Sequence, residues 1–301
     1  MTDEKTETGA EESAVRRRGV GVVLLLGLVW LGLTLWIAHS NLATRADPLA
    51  VPSAAALSLP SIVIGAVIAG AAAGLALASL VGRRRTLSAV GRPLSGGVAG
   101  LVVGLIAGAI ILVAYGAQSS IVILAATVAA GAVIGGLAAA LPPTVLAAGL
   151  VATFGVLVVN VVVGRFQSPL KDLLGAGVSP ETLVSSAYTL AYLTDVVAGV
   201  VAGLLAYFYL RRQPGALGWP WFAAAGGLSG LLLLGAYLVT LIGGASLFDK
   251  VRQLSPGDAT VLTIADNARL TQALVVFFVG AIVAMVLVGR TIKRPEPESG
   301  E

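Results

Sequence analysis

Eight apolar stretches alternate with short polar segments along this chain, at about 19–38, 61–81, 94–114, 121–141, 144–163, 187–210, 219–243 and 270–289. A helix needs roughly 20 residues to cross a hydrocarbon core of about 30 Å, and each stretch has that length. The pattern predicts a polytopic bundle of membrane-spanning helices.

Small residues within the stretches fall in register. Gly96, Gly100, Gly104 and Gly108 recur every fourth residue and so share one helix face. Each glycine costs a helix in water about 1 kcal/mol relative to alanine, so four together need a setting that offsets them. Lipid is such a setting, because helices associate there through close backbone approach across small-residue faces of the GxxxG type. The same spacing joins Gly70 and Gly74, Gly131 and Gly135, and Gly199 and Gly203. The expected fold is therefore all-α, about eight spans packed through such faces. The third span is placed near the centre, with the second as its partner.

The polar segments complete the layout. Residues 1–18 are acidic, then basic at Arg16, Arg17 and Arg18, and lack apolar periodicity, so they read as a disordered tail. The apolar run that follows is longer than the roughly 7–15 residues of a signal peptide, which makes it a retained span opening a single transmembrane domain, 19–290. Residues 291–301 form a second tail. Pro48 and Pro52 mark a loop over 39–59, with Pro60 just before the second span. A short surface helix is expected at Pro169–Leu174, and Ser179, Pro180 and Glu181 have the order of an N-cap, a first-turn proline and a first-turn acid. In the 244–270 loop, Leu247, Phe248, Val251 and Leu254 lie opposite Asp249, Lys250 and Arg252, the signature of an interfacial helix, and Ser255–Asp258 reads as a turn.

Composition agrees with the pattern: 57% of the 301 residues are hydrophobic and 11% charged, with a mean hydropathy of +0.96. Soluble domains carry about 25% charged residues, so a soluble globule is excluded. The net charge of +4 is a matter of topology rather than nucleic-acid binding. With both termini inside, 13 of the 19 basic residues (Lys5, Arg16–Arg18, Arg83–Arg85, Arg92, Arg211, Arg212, Arg290, Lys293, Arg294) lie on the inner side. The positive-inside rule then puts both termini in the cytoplasm of a plasma-membrane protein. Arginine in excess of lysine, with abundant Ala, Gly and Val, points to a high-GC bacterial source.

Little chemistry is on offer. There is no cysteine, no phosphate-binding G-x-x-x-x-G-K-[ST] sequence and a single histidine, His39, placed at a helix end. No catalytic, cofactor or metal site is expected. Gly131–Gly136 resembles part of a dinucleotide fingerprint, but no βαβ unit surrounds it. Asp195 is the one carboxylate or basic side chain inside the apolar stretches, and it shares a face with Gly199 and Gly203. At 1.5 Å per residue it lies about 12 Å below the outer boundary. Asn160, Tyr192 and Thr194 are its candidate partners, with Tyr188 and Thr153 behind them. One reading makes Asp195 a proton or cation site, since intramembrane carboxylates mark pathways or pair with a partner. The other makes it a neutral carboxyl that fixes helix packing by hydrogen bonding. Asp266, Asn267 and Arg269, at the head of the last span, are expected to face water.

The function expected is that of a transporter- or permease-like membrane protein with one protonatable carboxylate. The alternative is a non-catalytic scaffold or accessory subunit of an envelope or transport complex. An enzyme acting on lipid-linked substrates ranks last. The lipid bilayer is the partner in either case, with a membrane-protein partner or a second copy of the chain beside it.

Overall fold

The computed structural model describes residues 3–43, 51–81, 91–173, 180–213 and 218–290. Its helices are α1 (Asp3–Ala43), α2 (Val51–Val81), α3 (Gly91–Tyr115), α4 (Ser119–Leu137), α5 (Pro143–Arg165), α6 (Gln167–Leu173), α7 (Pro180–Arg211), α8 (Trp219–Gly243), α9 (Ala245–Leu254) and α10 (Pro256–Gly289), with one 3-10 turn at Ala138–Ala140. Eight of them are long and apolar enough to cross a membrane, that of α1 over Gly19–Ser40. The short α6 and α9 lie between spans. Among the described residues there is no strand. The chain is an all-α polytopic membrane protein.

The central helix is α2 rather than α3. It packs on α1, α3 and α4 and reaches α5, α8 and α9, and 67% of its most apolar window is buried against 33% for α3. The cause is composition by face. On α2, Ala66, Ala69, Ala71 and Ala72 accompany Gly70 and Gly74 and are all buried, so neighbours close on several sides. On α3 the glycines occupy one face, while Val102, Leu105, Ile106 and Val113 point outward, where lipid lies.

Gly96, Gly100, Gly104 and Gly108 are buried together with Ala107 and Ile111. Their chief partner is α4, not α2. A Cβ added to Gly104 would lie 2.8 Å from the Ala129 Cα, and one added to Gly108 would lie 3.8 Å from the Ala125 Cβ. The second helix joins at one end, where a Cβ on Gly74 would sit 3.3 Å from the Gly96 Cα. Gly131 and Gly135 of α4 face Val63 and Val67 of α2.

A second group comprises α5, α7, α8 and α10, with a core of its own. Gly199 and Gly203 of α7 face Val279 and Val283 of α10, and Gly226 of α8 closes on Gly280. Ile64 of α2 touches both cores.

Three helix starts and one helix face depart from the sequence expectation. The first helix begins at Asp3, within the stretch read as a disordered tail. The 39–59 loop is in part helical, because α2 begins at Val51 and carries Pro60 inside it. Proline leaves the carbonyl four residues back without its helical partner. Hydroxyls beside it bond other carbonyls of the same stretch: Ser58 Oγ donates to the Ala54 carbonyl at 2.8 Å and Ser61 Oγ to that of Ser58 at 2.8 Å. The last helix begins at Pro256, well before Leu270, because Ser255 is an N-cap whose Oγ accepts from the Asp258 N–H at 3.3 Å. Finally, α9 turns its apolar face to the protein rather than to lipid. Leu247 and Val251 are fully buried with Phe248, whereas Leu254 is 53% exposed.

Candidate functional site: a polar junction of α5, α7 and α10

Asp195 is the one charged residue among the described buried side chains, at 6% exposure. Its position follows from glycine packing. Gly199 faces Val276 and Val279, and Gly203 faces Gly280 and Val283, so α7 and α10 advance together, four residues at a time. One step earlier, Asp195 meets Gln272. The Gln272 amide hydrogen-bonds the Asp195 carboxyl and also donates from Nε2 to Asn160 Oδ1 at 3.2 Å. Two amide hydrogens suffice for both bonds.

Of the residues expected around Asp195, Asn160 therefore belongs to the site, through a bridge rather than a direct pair. Tyr192 and Tyr188 do not: they are 57% and 62% exposed on the outer surface of α7. Thr194 Oγ1 is taken by the Leu190 carbonyl at 2.6 Å and Thr153 Oγ1 by that of Gly149 at 2.8 Å. Such back-bonding within a helix is the usual use of a buried threonine hydroxyl in a span.

Gln272 is the residue that sequence reasoning missed. A neutral amide at the edge of an apolar run carries no charge signal. The signal was its register: Gln272, Val276, Gly280 and Ala284 recur at spacing four, the counterpart of Asp195, Gly199 and Gly203.

One turn outward on α10, Arg269 Nη1 donates to Asp266 Oδ1 at 2.7 Å. These side chains are 25% and 22% exposed, so the pair is half-buried, contrary to the expectation that it faces water. Asn267 between them is exposed. The other ion pair among the described residues, Asp249 with Arg252 on α9, is well exposed. His39, at the exposed end of α1, has its Nδ1 3.1 Å from the Tyr115 hydroxyl and ties α1 to the end of α3.

The arrangement defines what the junction can do. Asp195 is held by amides, not by a cation, so uptake of one proton or one monovalent cation changes the net charge of the site by one. Three helices meet at the site, because Gln272 of α10 bonds both the Asp195 carboxyl on α7 and the Asn160 side chain on α5. Comparison of the chain with protein-family models, with characterised proteins and with solved structures finds no match.

Proposed function

We propose that this protein is a transporter- or permease-like component of the plasma membrane, with both termini in the cytoplasm, in which Asp195 takes up and releases a proton or cation. The observation that carries the reading is the buried carboxyl bonded by the neutral amide of Gln272, which also donates to Asn160 and so brings three helices together there. Ionisable groups inside spans are costly and mark pathways, proton relays or ligand sites. The orientation rests on the basic clusters beside the inner helix ends.

The test is complementation of a strain lacking the gene, with variant abundance matched to wild type. Asp195→Asn keeps the shape and most hydrogen bonding but cannot change charge, so it is expected to abolish function in a folded protein. Asp195→Glu is expected to retain part of it. A second reading, the scaffold, is favoured by one fact: every buried side-chain nitrogen or oxygen among the described residues has a hydrogen-bond partner. On that reading the carboxyl is a structural tie. Asparagine would then complement fully, and glutamate would be the damaging change because its extra methylene overpacks a glycine-lined contact.

A further inference from the structure

Beside the junction lies a cleft between α2, α8 and α10, lined among others by Pro60, Ile64, Tyr237, Thr240, Arg269 and Gln272. It sits on the seam of the two helix groups: α2 belongs to the first, α8 and α10 to the second, and Ile64 touches both cores. The cleft is partly open to its surroundings and has room for about one water molecule, far too little for an organic substrate. Its lining is mixed, with Leu233 and Ala236 beside the Thr240 hydroxyl, the Tyr237 phenol, the Gln272 amide and the Arg269 guanidinium, and these polar groups are the ones that could hold that water.

The polar groups form a sequence down one helix. Asp266, Arg269 and Gln272 follow at spacing three on α10. The first two make a half-buried pair at 2.7 Å. The third both lines the cleft and bonds Asp195 and Asn160 on its far side. Gln272 is thus a wall shared by the cleft and the carboxyl. Pro60 lines the opposite side.

We infer that the α2–α8–α10 cleft is the aqueous route by which a proton reaches Asp195, with the Gln272 side chain as the gate between them. The inference rests on the reading of Asp195 as an ionisable site. The pairing of Arg269 with Asp266 fits it, because a neutralised guanidinium at the mouth raises no net positive barrier. Rotation of the Gln272 amide away from Asn160 would join cleft water to the carboxyl.

The absence of cysteine from the chain makes this route testable by thiol accessibility. Single cysteines are introduced into the otherwise complete protein, held in lipid nanodiscs so that both faces meet solvent, and treated with 2-aminoethyl methanethiosulfonate. This reagent attacks the thiolate, so it needs water at the side chain. Tyr237→Cys and Thr240→Cys should react at least ten times faster than Leu238→Cys and Leu241→Cys, which lie on the same helix but face outward at 46% and 44% exposure. Adding Gln272→Ala to Asp195→Cys should raise the reaction rate at 195 at least fivefold. Equal rates within the α8 set would overturn the route, and an unchanged rate at 195 would overturn the gate. Should Asp195→Cys fail to fold, the α8 comparison and Gln272→Cys, expected to react with the fast set, decide the question alone. The two readings fail separately. Slow labelling with an inactive Asp195→Asn removes the route and leaves the ionisable site standing, whereas fast labelling with a fully functional Asp195→Asn removes the ionisable site.

Discussion

The glycine face of α3 makes a graded prediction, because the same substitution meets a different neighbour at each step. A Cβ at Gly104 would lie 2.8 Å from both the Cα and the carbonyl oxygen of Ala129, whereas one at Gly108 would lie 3.5 Å from the Ala125 oxygen and 3.8 Å from its Cβ. Carbon pairs sit best at about 3.5–4.0 Å, so Gly104→Ala falls short by roughly 0.7 Å and Gly108→Ala does not. The obstacle at Gly104 is backbone, which cannot rotate away. The two helices must part locally, and overpacking of this kind costs about 1–3 kcal/mol. Gly108→Ala meets ordinary contact and gains helix propensity, so it should be neutral or stabilising by up to about 1 kcal/mol. Gly32 of α1 has nothing within 4 Å of a built Cβ and serves as a second control. The assay is the apparent melting temperature in one fixed detergent, followed by tryptophan fluorescence. At roughly 2–4 °C per kcal/mol for chains of 150–250 residues, Gly104→Ala should lie several degrees below both controls. If Gly104→Ala melts within a degree of Gly108→Ala, the face is an accident of a glycine-rich composition and the close approach is not a stability element.

Two further outcomes follow from the layout. Ser53, which a loop over 39–59 would have exposed, is helical and buried, so topology is better read from exposed positions between spans: Gln118→Cys, Ser168→Cys and Gln253→Cys should react with an impermeant maleimide in intact cells while Gln213→Cys stays protected, and the reverse pattern would invert the orientation. On α9, Leu247→Ala should cost about 2–5 kcal/mol because the side chain is fully buried, whereas Leu254→Ala, half-exposed, should stay within about 0.5 kcal/mol; equal thermal stabilities would mean that α9 is held by lipid rather than by the bundle.

How far the sequence could be read depended on which physical signal each element carries. Spans declare themselves through length and apolarity, so α8 begins and ends at Trp219 and Gly243 as expected. Helix ends outside lipid lack that signal. Pro52 and Pro60 were read as loop residues because proline breaks helices in water, yet α2 begins at Val51 and encloses Pro60 in packed surroundings. The polar start of α10 was hidden for the converse reason: Ser255 was read as part of a turn, and only the hydrogen bond from Asp258 reveals it as a cap. Amphipathicity located α9 but could not tell lipid from protein as the cover for Leu247 and Val251. At the site, Asp195 was conspicuous as a charge among apolar residues. Gln272 was not, and its role depends on the mutual register of α7 and α10, which a single helix does not encode.

That register also allows the two helix groups to be compared position by position. In α1–α4 and again in α5, α7, α8 and α10, the second helix touches the first, third and fourth, and the third pairs with the fourth. The tight crossings correspond: Gly74 and Gly96 close on Gly136 in the first group as Gly203 and Gly226 close on Gly280 in the second. Eight residues before Gly74 stands Ala66, and eight before Gly203 stands Asp195; eight before Gly136 stands Val128, and eight before Gly280 stands Gln272. Ala66 and Val128 are fully buried. The same crossing therefore closes with two apolar residues in one group and with a carboxyl and an amide in the other. Packing does not require the polar pair, and burying it costs free energy that its hydrogen bonds only partly return. On the proposed reading, the carboxyl and amide that stand at this crossing in only one of the two groups are there for the use of the carboxyl, and replacing Asp195 and Gln272 together by the Ala and Val of the other group is expected to leave the fold stable while removing function.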